Sequence, residues 1–375
     1  MKKGWQTKTL GEIGKISMCK RIFKEETTAT GDIPFYKIGT FGKEPDAFIP
    51  NQTYNEYRSK YPFPKKGDVL ISASGTIGRR VRYDGEPAYF QDSNIVWIVN
   101  DEKQVLNDYL YYFYGACEWN STKGSTISRL YNDDLRRIAI GFPESLAEQQ
   151  RIVGLLDEAF EGLVTAKANA EKNLQNARAL FESHLHSVFT QRGNGWVETT
   201  LEKISTNLDS KRVPITKNVR SSGEYPYYGA SGIVDYVTDY IFEGDNLLVS
   251  EDGANLLARS TPIAFSVSGK YWVNNHAHIL HFENMATQRF AEFYLESIKL
   301  DDYITGAAQP KLNQKALNSI PIPIPKSVET QAKIVEQVVS LQKETQSLAR
   351  IYERKLAALA ELKKSLLHQA FTGEL

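Results

Sequence analysis

The sequence predicts an α+β chain written twice: two mixed α/β modules separated by two long antiparallel coiled-coil helices, the halves related by an internal pseudo-twofold repeat. Three observations predict it. The back of the first half aligns with the back of the second at a fixed offset of 182 residues. Each back carries one apolar seam at helical spacing. Each front alternates apolar and polar side chains and is dense in aromatics.

The elements follow in order. In the first front, KKGDVLISASGTIG reads as strand, turn, strand, and AYFQDSNIVWIV (88–99) alternates as a strand does. The segment NDYLYYFYGACEW reads as a short helix ahead of a turn at Gly124. From there the repeat is gapless. It includes the pairs Leu130/Leu312, Leu135/Leu317, Pro143/Pro325, Gln149/Gln331 and Ile152/Ile334. It ends at SHLHSVFT (183–190) over SLLHQAFT (365–372). Internal repetition of this kind is the first thing to settle in a chain, because it sets the architecture.

The backs read as helices. Ile152, Leu156, Leu163, Leu174, Phe181 and Leu185 lie on one stripe with steps of threes and fours. The second stripe carries Ile334, Val338, Leu341, Leu348, Leu356, Leu359 and Leu367, broken only at Thr345 and Lys363. Neither helix contains a proline after its start; Pro143 and Pro325 sit just upstream. About 40 residues at 1.5 Å each give helices roughly 60 Å long. Such a helix cannot bury its seam alone, so each is expected to pack along the other. The polar loop QRGNG (191–195) leads into the second front. There GKYWVNNHAHILHF (269–282) reads as a strand and TQRFAEFYLESIK as a short helix. The fronts match with shifting register: Gly4-Trp5 answers Gly195-Trp196, and Pro34 answers Pro226.

Composition narrows the function. The chain has 375 residues and 45 basic against 45 acidic side chains, so no basic excess marks a free-standing nucleic-acid binder. Two cysteines make no disulfide framework, and no run approaches the apolar length of a membrane span. A cytoplasmic protein is the expectation. GxxxxGK[ST], Asn/Asp-Pro-Pro-aromatic and Gly-x-Ser-x-Gly are all missing. The run Gly75-Thr76-Ile77-Gly78 reads as a tight turn. His276, His278 and His281 invite a metal, but alternation puts the first two on one face and the third on the other, so no metal site is expected.

Several phrases in order resemble the specificity subunits of type I restriction-modification enzymes. They are YPYYGASGIVDYV (225–237), LLVSEDGANLLAR (247–259), YWVNNHAHIL (271–280), QPKLNQKALNSIPIPIP (309–325) and the ending LLHQAFTGEL. The first half matches through GDVLISASGTIG (67–78), YFQDSNIVWI (89–98) and SRLYNDDLRRIAIGFP (128–143), departing at Ser128 where the second copy has Pro310. The resemblance implies a target recognition domain over residues 1–145, a central spacer helix over 146–190, a second recognition domain over 191–327 and a distal spacer helix over 328–375. Each domain would read one half of a bipartite, asymmetric site in double-stranded DNA. The helices would set the spacer and dock modification subunits, two of them, with restriction subunits joining. The chain itself would be non-catalytic and bind no cofactor, S-adenosylmethionine and ATP with magnesium belonging to the partners. The competing readings are an enzyme fused into one front and a non-catalytic scaffold binding another macromolecule through two β-rich modules.

DNA chemistry selects the candidate contacts. Arg and Lys serve guanine edges and phosphates, Asn pairs with adenine, and Ser serves either. In the first module these are Lys20, Arg21, Lys24, Arg79, Arg80, Arg82 and Arg129. In the second they are Ser210, Lys211, Arg212, Lys217, Arg220, Tyr227, Tyr228, Ser231, Asn255, Arg259 and Lys311. Arg80 and Arg82 are expected on one strand face. Arg129 and Lys311 hold equivalent places, which favours a shared phosphate contact.

Overall fold

The structure, a computed structural model, describes residues 3–117, 119, 129–306 and 308–375; Gly124 and Ser128 lie outside them. It divides into two compact units, residues 1–170 with 354–375 and residues 171–353.

In the first unit, the opening strand Trp5–Thr9 pairs antiparallel with Ala139–Pro143, Trp5 opposite Pro143 and Thr9 opposite Ala139. A four-stranded antiparallel sheet follows in the order Lys15–Ser17, Ile95–Val99, Val69–Ser72, Arg80–Arg82. Its central strands are buried on both faces, so IVWIV runs apolar rather than alternating. A smaller sheet sets Ile33–Tyr36 between Phe48–Ile49, antiparallel, and Tyr89–Phe90, parallel. Its core is aromatic: Phe35, Phe41, Tyr54, Tyr89, Phe90 and Trp97 pack in one cluster.

The second unit repeats this plan. Trp196–Thr200 pairs with Pro321–Pro325 in the same register, Trp196 opposite Pro325. The four-stranded sheet runs Thr206–Asn207, Ala277–His281, Asn246–Ser250, Ala264–Val267. The parallel contact recurs between Ser222–Gly229 and Lys270–Val273, with Tyr227 opposite Trp272. The strand PIPIP is tolerated because it pairs on one edge only. Prolines at alternate positions then lose amides that face away from the partner.

The equivalence reaches single hydrogen bonds. The amide of Leu10 donates to Ile138 O at 2.9 Å, and that of Leu201 to Ile320 O at 3.2 Å. Leu130 N donates to Ala73 O and Leu312 N to Glu251 O, both at 2.8 Å. Gln149 Nε2 donates to Pro143 O at 2.8 Å, and Gln331 Nε2 to Pro325 O at 2.7 Å. These buried glutamines clamp the turn that leads into each long helix.

The long helices are Leu146–Thr190 and Val328–Thr372. In the first unit Ile152, Val153 and Leu156 share a core with Leu367 and Ala370. In the second unit Leu185 and Phe189 share one with Val338, and Phe181 and Ile334 pack against it. In each unit, therefore, the start of one long helix lies against the end of the other. Burying one such leucine contributes about 2 kcal/mol. Leu163, Leu174, Leu341, Leu356 and Leu359 are half-buried.

Leu348 departs from the expected seam. It is 41% exposed, while Thr345, read as a break, is 5% exposed. The buried stripe steps four residues from Thr345 to Ala349 rather than three to Leu348. The Thr345 hydroxyl is satisfied within the helix, donating to Leu341 O at 2.8 Å, so its burial leaves no orphan.

Candidate nucleic-acid interface

The basic cluster of the first module is built on an aromatic plate. Arg80 and Arg82 stand on one face of the edge strand Arg80–Arg82. Their guanidinium carbons lie 4.5 and 3.8 Å from the ring centre of Tyr111, which the helix Asn107–Ala116 presents to that edge. Arg82 also pairs with Asp108 at 2.6 Å. Arg80 is confined further: a Cβ at Gly115 would collide with its guanidinium. Burial pushes its pKa below the ordinary arginine value. The Tyr112 hydroxyl ties the same helix to Asp157 on the long helix. A guanidinium set over a ring is held in place while N–H groups left unpaired can meet oxygen acceptors, the chemistry that phosphate and guanine recognition use.

Arg79 is turned the other way. Its Nη1 donates to Phe41 O at 3.0 Å, closing a loop rather than facing outward. Lys20 and Lys24 are exposed, Lys20 with its ammonium 5.2 Å from the Tyr61 ring centre. Arg21 pairs with Asp92 at 2.8 Å and remains largely exposed. Arg129 is exposed, bridges to Ser74, and lies 5.8 Å from the Tyr131 ring centre.

In the second module Ser210, Lys211, Lys217, Ser231 and Lys311 are exposed. Lys311 bridges to Asp252 as Arg129 bridges to Ser74, so the two basic residues occupy one structural place. The Lys311 ammonium also pairs with Glu251 at 3.1 Å.

Five other candidates are committed to the fold. Tyr227 is fully buried, its hydroxyl accepting from Ile215 N and donating to Ile215 O. Arg220 covers the Tyr227 ring at 4.2 Å and pairs with Asp235 at 3.2 Å. Tyr228 packs between Phe265 and Tyr271, and burial raises its phenol above the ordinary value. Asn255 donates to Thr261 O and accepts from Thr261 N, holding the turn after its own short helix. Arg259, at φ +50°, donates to Ile298 O at 2.7 Å and Leu295 O at 3.3 Å. It thereby satisfies carbonyls at the end of the helix Met285–Ser297, where a cation also meets the negative end of the helix dipole. These side chains are corrections to the expected contacts: each is spent inside the module.

Arg212 is a sixth. Its Nη1 pairs with Glu251 at 2.6 Å and donates to Ala277 O at 2.8 Å. It belongs to a buried charged cluster with Asp209, Glu251 and His278. Acceptor and ligand atoms of Asp209, Glu251 and His278 lie within 4.8 Å of one another, the only such group among the described residues. His278 Nδ1 lies 2.5 Å from Asp209 Oδ2, and Nε2 lies 2.7 Å from Leu312 O. A carbonyl oxygen only accepts, so Nε2 carries a proton and offers no lone pair to a metal. Burial acts to raise both carboxyls, but bonds and charges from His278 and Arg212 outweigh it and hold them below their ordinary values.

The three histidines do not share faces as alternation suggested. His276 precedes the strand and pairs with Asp252 at 2.9 Å; His278 is inside; His281 bonds Asn246 at the exposed strand end. Sequence reasoning also missed the strand Gly232–Val237, the second arm of a hairpin with Ser222–Gly229, whose Ile233, Val234 and Tyr236 are exposed.

Comparison with known proteins places the architecture. The family model described as the type I restriction modification DNA specificity domain matches residues 2–175 and again 194–354. A putative type I restriction enzyme specificity subunit of Haemophilus influenzae is 56% identical over 178 residues, which is 46% of this chain and 46% of that one. The chain thus spans under half the length of that relative. The type I restriction enzyme EcoprrI specificity subunit of Escherichia coli is 23% identical over 332 residues, 83% of this chain and 80% of that one. Two solved structures share the fold. One was described for complex assembly and conformational transition of the type I R-M system, with TM-score 0.76 at 16% identity, covering 100% of this chain and 99% of that one. The other is the HsdS subunit of Thermoanaerobacter tengcongensis, with TM-score 0.60 at 16% identity, covering 100% and 98%.

Proposed function

Because the chain belongs to the type I restriction-modification DNA specificity family, we propose that it is the address-reading subunit of a methylating and restricting complex. Each module reads one half of a bipartite site in double-stranded DNA. The observation that carries this reading is the repeat itself: one fold with one set of clamping bonds is built twice, while the exposed basic groups on the two copies differ. Identical frames with different faces suit an asymmetric two-part address.

In the first module the contacts are Arg80 and Arg82 on the Tyr111 plate, with Lys20, Lys24 and Arg129 reaching phosphates. In the second they are Lys211, Lys217, Ser231 and Lys311. The chain's zero net charge requires partners to supply much of the phosphate neutralisation. Modification subunits dock on the long helices and bring S-adenosylmethionine for adenine-N6 methylation; restriction subunits bring ATP-driven cleavage. This chain contributes the address and positions others for the chemistry.

The test is to map N6-methyladenine across the host genome with and without this gene. A bipartite motif that vanishes with the gene supports the reading. An unchanged methylation map refutes it.

A further inference from the structure

The buried charged cluster has no counterpart in the first module, although every position in it does. The shared pairings set Val96 at the place of His278, since Ile71 faces Val96 as Val249 faces His278. Ala73 stands at the place of Glu251, each accepting the amide of the matched leucine. Ile16 faces Ile98 as Asn207 faces Leu280, which sets Met18 at the place of Asp209. Ala73 and Val96 lie in an apolar core with Met18 packed against it. One frame therefore holds three apolar side chains in one copy and three ionisable ones in the other.

His278 is 1% exposed and both its ring nitrogens face oxygen. Nε2 must donate to the Leu312 carbonyl. Asp209 accepts from Ile279 N at 2.9 Å and has Arg212 at 3.6 Å, so it is ionised and Nδ1 donates to it. The ring is an imidazolium. Two cations, His278 and Arg212, balance two buried anions, Asp209 and Glu251. Lys311 meets Glu251 from the rim, and Asp252, just outside, is taken by His276. Such a cluster is costly to bury and persists only when every member is satisfied.

We propose that Asp209, His278 and Glu251 are positioning residues for Lys311 in the second module alone. The protonated ring pins Leu312 to the core, and Glu251, held by Arg212, sets where the neighbouring ammonium meets DNA. The inference rests on the DNA-reading function proposed above. A side chain that cannot donate to both oxygens releases the loop carrying Lys311, and the first module, with Val96 at that place, is unaffected.

The experiment compares the full chain and its His278→Gln variant, each with its modification subunits, on a randomised DNA library, scoring discrimination at each half-site. Discrimination is expected to fall about tenfold at one half-site only, the worth of one hydrogen bond to a charged group. Ring-nitrogen NMR of the unaltered chain, which depends on no variant folding, should find both nitrogens of His278 protonated at about pH 7. A neutral ring, or a response shared equally by both half-sites or absent from both, overturns the proposal. If the unaltered complex selects no bipartite motif at neutral pH, the DNA-reading function falls instead.

Discussion

Replacing Gln149 by alanine should cost the chain about 3 kcal/mol. Gln149 is fully buried and makes three bonds: its oxygen accepts from Leu106 N at 2.9 Å, and its amide donates to Gln104 O at 2.7 Å and Pro143 O at 2.8 Å. Alanine leaves three backbone groups without these partners, at about 1 kcal/mol or more each. The matched change, Gln331→Ala, strands less. Gln331 donates to Pro325 O and accepts from the Thr287 hydroxyl, but that hydroxyl has Asn284 Oδ1 at 2.9 Å as an alternative. One orphan remains, worth about 1 kcal/mol. Urea denaturation of the two variants measures the difference, and amide exchange at Leu106 reports locally, since its protection depends on Gln149. Equal losses from the two substitutions, or an unchanged Leu106 amide, would refute the reasoning. Gln149→Glu should be at least as damaging as the alanine, because it turns a carboxylate oxygen toward two carbonyls.

Four further outcomes are expected. Inserting four residues in one long helix adds about 6 Å and should change the preferred spacer or abolish binding; an unchanged spacer in a selection on randomised DNA removes the helices as the ruler. Arg129→Ala should lower the salt dependence of DNA binding by about one unit of slope while leaving base preference in place, read from affinities across a salt series. Asp209 and Glu251 are depressed in the folded state, so their contribution is complete above the ordinary carboxylate range near about 4 and is lost as pH falls through the lower folded values; Asp209→Asn should flatten the acid limb of the stability curve. Burial pushes the Cys19 thiol up to about 12, so in the native chain Cys19 should resist alkylation while half-buried Cys117 reacts, as mass mapping of the adducts can show.

The repeat and the helices were legible in the chain because both are local or periodic. A seam with steps of threes and fours is visible without knowing its partner, and a gapless offset records a geometry that admits no insertion. The error at Leu348 came from a seam that drifts: Ala349 and Leu348 both fit the spacing, and only the neighbouring helix decides between them. The fronts were less legible. Tyr227 is buried because its strand pairs in parallel with Lys270–Val273, a contact between segments far apart in sequence. Arg259 looked like a base reader and instead closes a helix end that begins well downstream. Asp209, Glu251 and His278 are unremarkable one at a time; their meaning lies in three separate segments converging, and in the apolar trio that holds the same places in the other copy.

Each module begins and ends at the same doorway. Trp5 stands opposite Pro143, and Trp196 opposite Pro325, so the chain enters and leaves each module on adjacent strands. What lies between those gates meets the following helix through bonds such as those of Gln149 to Leu106 and Gln104 and of Tyr112 to Asp157, so an exchanged module that keeps these partners leaves the helix in place. Recombination at the gates would then exchange whole reading heads as cassettes, with one crossover supplying a new half-address while the assembly that acts on it stays the same.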